Sequence, residues 1–354
     1  MPWGVLALVV AIAGFGQVVL YSAAGGSLRP WALNQSIRFV VFLVGACLLS
    51  RVREDQIKGS AIPIYAVLVA LLFAVEALGA VRGGSRRWLD LGFIRLQPSE
   101  LMKPAIVLAL ARFYDMLPVG EIRRWTAIWP AATMIGLPFL LVMAQPDLGT
   151  ALMIAFGGVV VIFLAGVPVR LFVGGFLAAA ALTPVALHMM HDYQRSRIEI
   201  FLNPESDPLG TGYHIIQSKI AIGSGGIAGK GFLAGTQSHL EYLPEGHTDF
   251  VFATMAEEWG LLGGCGIILA YLLVIRWGMK VAARSHTRFG RLAAAGLATT
   301  IFFYVAINLS MVMGLAPVVG IPLPLVSFGG SAMMTVLICL GLLMAIDRQN
   351  KRAR

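Results

Sequence analysis

Charge is what this sequence has least of. Of its 354 residues, 13% are Asp, Glu, Lys or Arg, about half the share of a soluble domain. With 58% of the chain hydrophobic, an ordinary globular enzyme is excluded. Cysteine is scarce too. Cys47, Cys265 and Cys339 stand far apart inside apolar runs, so they read as small packing residues and not as a disulfide framework or a thiolate metal site. There is no HExxH, no paired CxxC, no GxGxxG and no GxSxG, which removes the common zinc, dinucleotide and serine-hydrolase signatures. The glycine-rich stretch after Ile222 fails as a phosphate loop. Ser224 stands where the first glycine belongs, and Gly231 follows Lys230 where Ser or Thr is required. The N-terminus, MPWGVLALVV, has no basic residue ahead of its apolar run, which argues against a cleaved signal peptide.

What is present is hydrophobic length. A membrane crossing takes about 20 apolar residues. The runs predict an all-α, polytopic integral membrane protein with ten transmembrane helices, near 4–22, 33–50, 61–80, 99–114, 125–143, 149–166, 170–189, 249–275, 292–314 and 325–346. The chain 1–354 reads as one transmembrane domain, with a single long extracytoplasmic loop at 190–248. The 40 glycines suit close helix approach in lipid. The net charge of +9 does not indicate nucleic acid. Most of the 27 lysines and arginines fall in short gaps on the side that holds both termini, such as Arg51, Arg53, Lys58, Arg284, Arg348 and Lys351. By the positive-inside rule that side is the cytoplasm.

One outer gap breaks the rule. Between the third and fourth spans lie Arg82, Arg86, Arg87 and Arg95. Arginines kept against the topological trend suggest an anion to bind, although headgroup contact explains them as well. The long loop holds turns from Asn203 to Gly212 and then a short amphipathic helix from Tyr213 to Ile222.

The outward helix starts are unusually polar. They are Gln97-Pro98-Ser99-Glu100 with Lys103, then Gln145-Pro146-Asp147, then His247-Thr248-Asp249, then Pro324 to Gly330 around Ser327. Capping explains Asp147 and Ser327 as well as function does. Glu100 and Lys103 form an i,i+3 pair, but one inside an apolar helix, where ionisable groups usually have a task. Asp249 is expected in the first turn of its span, at the lipid boundary, with Glu257 and Glu258 about two turns deeper. Carboxylates that can take a proton or hold a cation, beside arginines and helix N-termini that attract phosphate, suit an anionic lipid-linked substrate. From the residues alone the protein is an enzyme or a transporter for a phosphorylated lipid.

Longer motifs narrow this. HTDFVFATMAEEWG (247–260), QPSELMK (97–103), NPESDPLGTGYHIIQSKIAIGSGG (203–226) and PLPLVSFGGS (322–331) closely resemble the SEDS family (shape, elongation, division and sporulation). The resemblance runs along nearly the whole chain in order. The 203–226 motif and GTQSHLEYLP (235–244) are closer to elongation-type than to division-type members. One departure is Gly246, where a larger residue is common before the HTDF histidine.

The resemblance implies a peptidoglycan glycosyltransferase that polymerises lipid II on the outer face of the cytoplasmic (inner) membrane. It implies a class B penicillin-binding protein as partner and Asp249 as the essential acid. Asp249 is then the candidate general base. Arg86, Arg87, Gln97, Ser99, Glu100, Lys103, Asp147, Lys219 and Ser327 are the candidate substrate contacts, with Arg195 and Arg197 as further cations. A divalent ion, Mg²⁺ or Mn²⁺, could share the work at Asp249 and Glu100. Attack opposite the diphosphate would invert the anomeric centre. The rival readings are a lipid II flippase, a scaffold for the transpeptidase, and the septal, division-type polymerase.

Overall fold

The computed structural model describes residues 1–78, 80–82, 85–90, 95–189, 192–207, 210–240, 242–243 and 245–352. The chain runs through α1 (Trp3–Ala23), α2 (Ala32–Leu49), α3 (Glu54–Leu78), α4 (Pro98–Met116), α5 (Trp125–Ala144), α6 (Leu148–Ala165) and α7 (Val169–Met189). It continues through α8 (Asp192–Leu202), α9 (Thr211–Gly225), α10 (Thr236–His239), α11 (Val251–Arg284), α12 (Arg288–Val312) and α13 (Gly330–Arg352). A small antiparallel sheet, β1 (Ala80–Arg82), β2 (Ser85–Asp90) and β3 (Arg95–Leu96), fills the gap between α3 and α4. No strand was expected there from the residue pattern.

Among the described residues, eight helices are long and apolar enough to cross a membrane. The expected number was ten. The other two expected positions are held by α4 and α7. Helix α4 carries Glu100, Lys103, Arg112 and Asp115, and α7 contributes the shorter apolar helix Val169–Thr183.

Polarity follows position. Helices α4, α12 and α13 form the middle of the bundle, and nearly every residue of α12 and α13 that faces a neighbour is buried. Here protein replaces lipid as the solvent, so polar side chains are allowed if they find partners. The outer helices are more uniformly apolar and expose Val41, Leu140 and Phe176. Such a surface suits hydrocarbon and not water.

Three boundaries differ from the sequence reading. The last long helix starts at Gly330, not near 325, because residues 313–329 form an ordered return loop. Helix α3 starts earlier, at Glu54. Helix α11 extends to Arg284 but is broken at Gly260, whose φ of 63° and ψ of −161° are not helical.

The break has a physical partner. Lys230 N and Gly231 N donate to the carbonyls of Glu257 and Glu258, and Leu261 N and Leu262 N donate to those of Gly226 and Ile227, all at 2.9–3.2 Å. The glycine-rich segment therefore replaces the hydrogen bonds that the helix loses. Glycine is required by the close approach: a Cβ at Gly229 would fall 2.0 Å from Glu258 O, and one at Gly260 2.4 Å from Gly229 N.

The two ends of the bundle are distinct. Met1 and Pro2 share a pocket with Arg348 and Arg352, so both termini meet at one end. At the other end of α13, Phe328 N donates to His247 O at 2.9 Å. The 23 residues of α13 separate these ends by about 35 Å at 1.5 Å per residue.

Candidate functional site

Asp249 sits at the end away from the termini. It does not cap a helix. Residues 245–250 form tight turns in which Thr248 N and Phe250 N both donate to Glu245 O, at 3.0 and 3.2 Å. Helix α11 begins only at Val251, with Phe250 as its uncapped start. Gly246 is buried in this turn, and its carbonyl accepts from Thr254 Oγ1 at 3.0 Å. A Cβ there would lie 3.2 Å from Leu243 O, so the small residue fits the local backbone.

The Asp249 backbone is fixed by Asn308, whose Nδ2 donates to the carbonyls of Asp249 at 2.9 Å and Ile321 at 2.7 Å. Its carboxylate faces Gly320, with Oδ2 3.5 Å from where a Cβ would stand. Gly320 has φ +71°, a left-handed conformation that favours glycine. Burial pushes the Asp249 carboxyl up to about 6; the charge of Glu245 adds to the rise, and Arg197 opposes it. Arg197 is held by its own bond from Nη1 to Val318 O, at 3.0 Å. The adjacent His247 stacks on Trp31 at 4.0 Å. Burial pulls its imidazole below the usual value, with Glu245 opposing.

A second group lies one helical turn along α12. Lys103 Nζ donates to Glu100 Oε1 at 2.5 Å and to the Tyr304 hydroxyl oxygen at 2.9 Å. The Tyr304 hydroxyl also donates to Glu100 Oε2. Thr335 Oγ1 reaches Glu100 O at 3.3 Å. Lys103 is 1% exposed and Glu100 6%, so this is a closed ion pair in the interior. Tyr304 and Asn308 are i and i+4 on α12, which ties this pair to Asp249.

A third group joins β2 to the starts of α4 and α6. Arg87 Nε donates to Gln145 O at 3.1 Å and Nη2 donates to Pro146 O, while Nη1 lies 3.9 Å from Asp147 Oδ2. Gln97 Nε2 reaches the same oxygen at 3.5 Å. Asp147 Oδ1 caps α6 by accepting from Thr150 N at 3.2 Å.

The structure thus gathers Arg87, Gln97 and Asp147 in one cluster and Glu100 and Lys103 in the next, with Asp249 beyond them. It does not gather the rest. Ser327 braces its own turn, accepting from Leu323 N at 2.8 Å. Ser99 is buried and its Oγ has no partner among the described residues. Lys219 is exposed on α9, with its chain laid against Gly314. Arg195 pairs with Glu199 at 3.1 Å on the exposed face of α8. The Arg86 side chain lies outside the described residues.

Glu257 and Glu258, which looked functional by depth, hold structure. Glu257 is fully buried and accepts from Lys230 Nζ at 2.6 Å, Thr236 N at 2.9 Å and Gln237 N at 3.0 Å. Glu258 accepts from Ser22 Oγ.

For a divalent ion the fit is poor. Both oxygens of Glu100 are committed to Lys103 and Tyr304. Among the described residues no three His, Cys, Asp or Glu side chains form a metal-holding group.

Tyr304, Asn308 and Gly320 were missed from sequence. Thr300, Tyr304 and Asn308 repeat every four residues along one face of an apolar span, and all are buried. That spacing is the signal that marks them as a polar seam within the bundle.

The chain as a whole matches a known group of proteins. A family model described as cell cycle protein, covering FtsW, RodA and SpoVE, matches residues 3–352. The chain belongs to the FtsW/RodA/SpoVE family. The peptidoglycan glycosyltransferase MrdB of Escherichia coli (strain K12) is 46% identical over 350 residues, covering 98% of this chain and 93% of the relative. Stage V sporulation protein E of Bacillus subtilis (strain 168) is 38% identical over 284 residues, 79% of this chain and 76% of the relative. Among solved structures, a chain from a peptidoglycan synthase complex in which polymerization and crosslinking are coordinated superposes with a TM-score of 0.86, at 34% identity and 98% coverage of both chains. The rod shape determining protein RodA of Thermus thermophilus superposes with a TM-score of 0.74, at 31% identity, covering 98% of this chain and 97% of that one.

Proposed function

We propose that this chain is a peptidoglycan glycosyltransferase that polymerises lipid II at the outer face of the bacterial cytoplasmic membrane, during elongation and rod-shape maintenance. One observation carries the mechanism: the HTDF aspartate, Asp249, is held by its backbone at the end of the bundle away from the termini, with its carboxyl raised to about 6. A base of that strength is ionised at neutral pH yet holds a proton better than a free carboxylate.

In this reading a sugar hydroxyl of the acceptor attacks the anomeric carbon of the donor. The new C–O bond forms as the bond to the undecaprenyl diphosphate breaks. The hydroxyl proton passes to Asp249, and the electron pair leaves with the diphosphate. Attack from the opposite face inverts an α-linked donor to a β-linkage without a covalent enzyme intermediate. Arg197, whose charge is already felt at Asp249, is the described cation best placed to meet the departing diphosphate. Arg86, Arg87 and Lys219 are the other candidates for binding it. Lys103 acts at one remove, by holding Glu100 and Tyr304 beside Asn308. Mg²⁺ or Mn²⁺ would have only Asp249 of the expected pair to bind, and no step is routed through it.

In this reading the end with the basic termini is cytoplasmic, as the positive-inside rule favours, and Asp249 at the opposite end is outside. The partner is a class B penicillin-binding protein, a transpeptidase. The likeness to a complex that coordinates polymerization with crosslinking supports this.

The test is polymerisation of lipid II by detergent-solubilised protein, with and without the transpeptidase and with EDTA or Mg²⁺. The wild type makes glycan and Asp249→Asn does not. Polymer from Asp249→Asn removes this residue as base. A solubilised chain that makes none under any of these conditions favours the flippase or the scaffold, since transport needs a sealed compartment and polymerisation does not.

A further inference from the structure

The end of the bundle that holds the termini has a pocket that the proposed reaction does not use. Met1 and Pro2, the chain just after α2 and the last turns of α13 enclose about 450 Å³. Arg51, Arg348, Lys351 and Arg352 line it. Asp347 is the one carboxylate in the lining, and it is engaged by Lys351 at 2.8 Å. Among the described residues, no carboxylate comes within ion-pair range of Arg51, Arg348 or Arg352.

The positive-inside rule accounts for basic residues at this end. It does not account for their convergence. Arg51 and Arg348 are far apart in sequence, and like charges brought into one concavity raise its affinity for an anion. The pocket is also not purely polar. Met344 lines it and lines a narrow apolar cleft as well, formed with Val5, Leu43, Ala46, Trp277 and Leu340 between α1, α2, α11 and α13. That cleft, about 10 Å³, is too small for an acyl chain, so the feature that points to a ligand is the cluster of cations at the edge of a membrane bundle, which suits the phosphate of a lipid headgroup.

We propose that this pocket binds the headgroup phosphate of an anionic phospholipid in the leaflet at the terminal end, with Arg51, in the turn after α2, and Arg348, on α13, as the guanidinium clamp. A lipid bound there ties α2 to α13 and stabilises the folded bundle by mass action. The site stands at the opposite end of α13 from Asp249, so its occupancy is measurable whether or not the chain polymerises glycan.

The test uses the full chain purified in neutral detergent, with native mass spectrometry and thermal melting as readouts. The probes are dioleoyl phosphatidylglycerol, dioleoyl phosphatidylcholine and inorganic phosphate. The wild type retains phosphatidylglycerol over phosphatidylcholine by at least about ten-fold, the effect of a few surface cations on an anionic lipid. Arg51→Ala with Arg348→Ala loses that preference. Arg284→Ala, a basic residue at the same end outside the pocket, keeps it. Equal retention of the two lipids by the wild type overturns the proposal, and that arm stands even where the double variant fails to fold. So does unchanged selectivity in the folded double variant. Inorganic phosphate raising Tm as much as phosphatidylglycerol would make the ligand a soluble anion and equally sink the lipid site.

Discussion

At the scale of single residues, two kinds of buried charge must be told apart. Asp249 is raised to about 6 chiefly by burial, so its charged form is disfavoured by the fold. The folded state holds a proton that the unfolded chain, with a carboxyl near its ordinary value of 3.8, has already lost. Ionisation therefore costs stability as pH rises through this interval, by at most about 3 kcal/mol. Two outcomes follow. The acidic limb of kcat/KM for lipid II should fall with a midpoint near 6, as protonation removes the base. Asp249→Asn should melt higher than the wild type at pH 7.5 while making no glycan. A variant that melts lower would mean that the carboxylate is a structural anchor.

Lys103 and Glu100 predict the reverse. Removing one member of a sealed pair strands the other, at about 3–5 kcal/mol, whereas replacing both restores much of the loss. Lys103→Met alone should lower Tm and folded yield sharply. Lys103→Met with Glu100→Gln should recover most of both. If the double variant melts no higher than the single one, the pair is not a closed structural unit.

The difference between Asp249 and this pair was only partly legible. The sequence marks which carboxylates lie at helix ends. It does not say which find partners, because Tyr304 and Thr335 come from helices distant in the chain.

At the scale of elements, α11 shows where periodicity stops being informative. Its apolar run reads as one helix, and nothing in the run itself announces the break at Gly260. The explanation lies some thirty residues earlier, in glycines that resemble a phosphate loop without meeting its pattern. They are small so that their backbone can dock against the opened turn. A lipid-exposed break would leave peptide groups unpaired at several kcal/mol each; this one is covered by protein. Gly260→Ala and Gly229→Ala should both cut the yield of monodisperse protein, because a Cβ at either site meets backbone, which cannot rotate away. Gly266→Ala should be silent, since nothing lies within 4 Å of its Cβ position. Size-exclusion profiles and melting curves of the three variants decide this, and a silent Gly260→Ala would show that the loop and the helix do not interlock.

The positions of the long helices were readable from hydropathy, and of the three helices described in the 190–248 loop only α9 was readable, from its pattern. Its buried face, Ile215, Ser218 and Ala221, has the spacing of a helix lying on protein. The sheet before α4 was not readable, because its strands are short and rich in arginine.

At the scale of the molecule, everything functional depends on which end faces out. The two ends are about 35 Å apart along α13. One gathers Asp249, Arg197 and Arg87; the other gathers the termini and the basic pocket. A lipid-linked donor and its acceptor meet only on one leaflet, so a single orientation is compatible with polymerisation. The proposed orientation rests on charge: short basic gaps favour the cytoplasmic side, and the four arginines between α3 and α4 are fewer than the cations at the other end. Cysteine labelling in intact cells tests the outcome. The native cysteines are first replaced by Ala, with Cys339 the most demanding because it is fully buried. Gln217→Cys on α9 should then react with a membrane-impermeant maleimide in intact cells. Gln349→Cys near the end of α13 should react only after permeabilisation. The opposite pattern would place Asp249 in the cytoplasm, where no polymerised glycan is made, and the base, its cations and the assigned reaction would all have to be abandoned together.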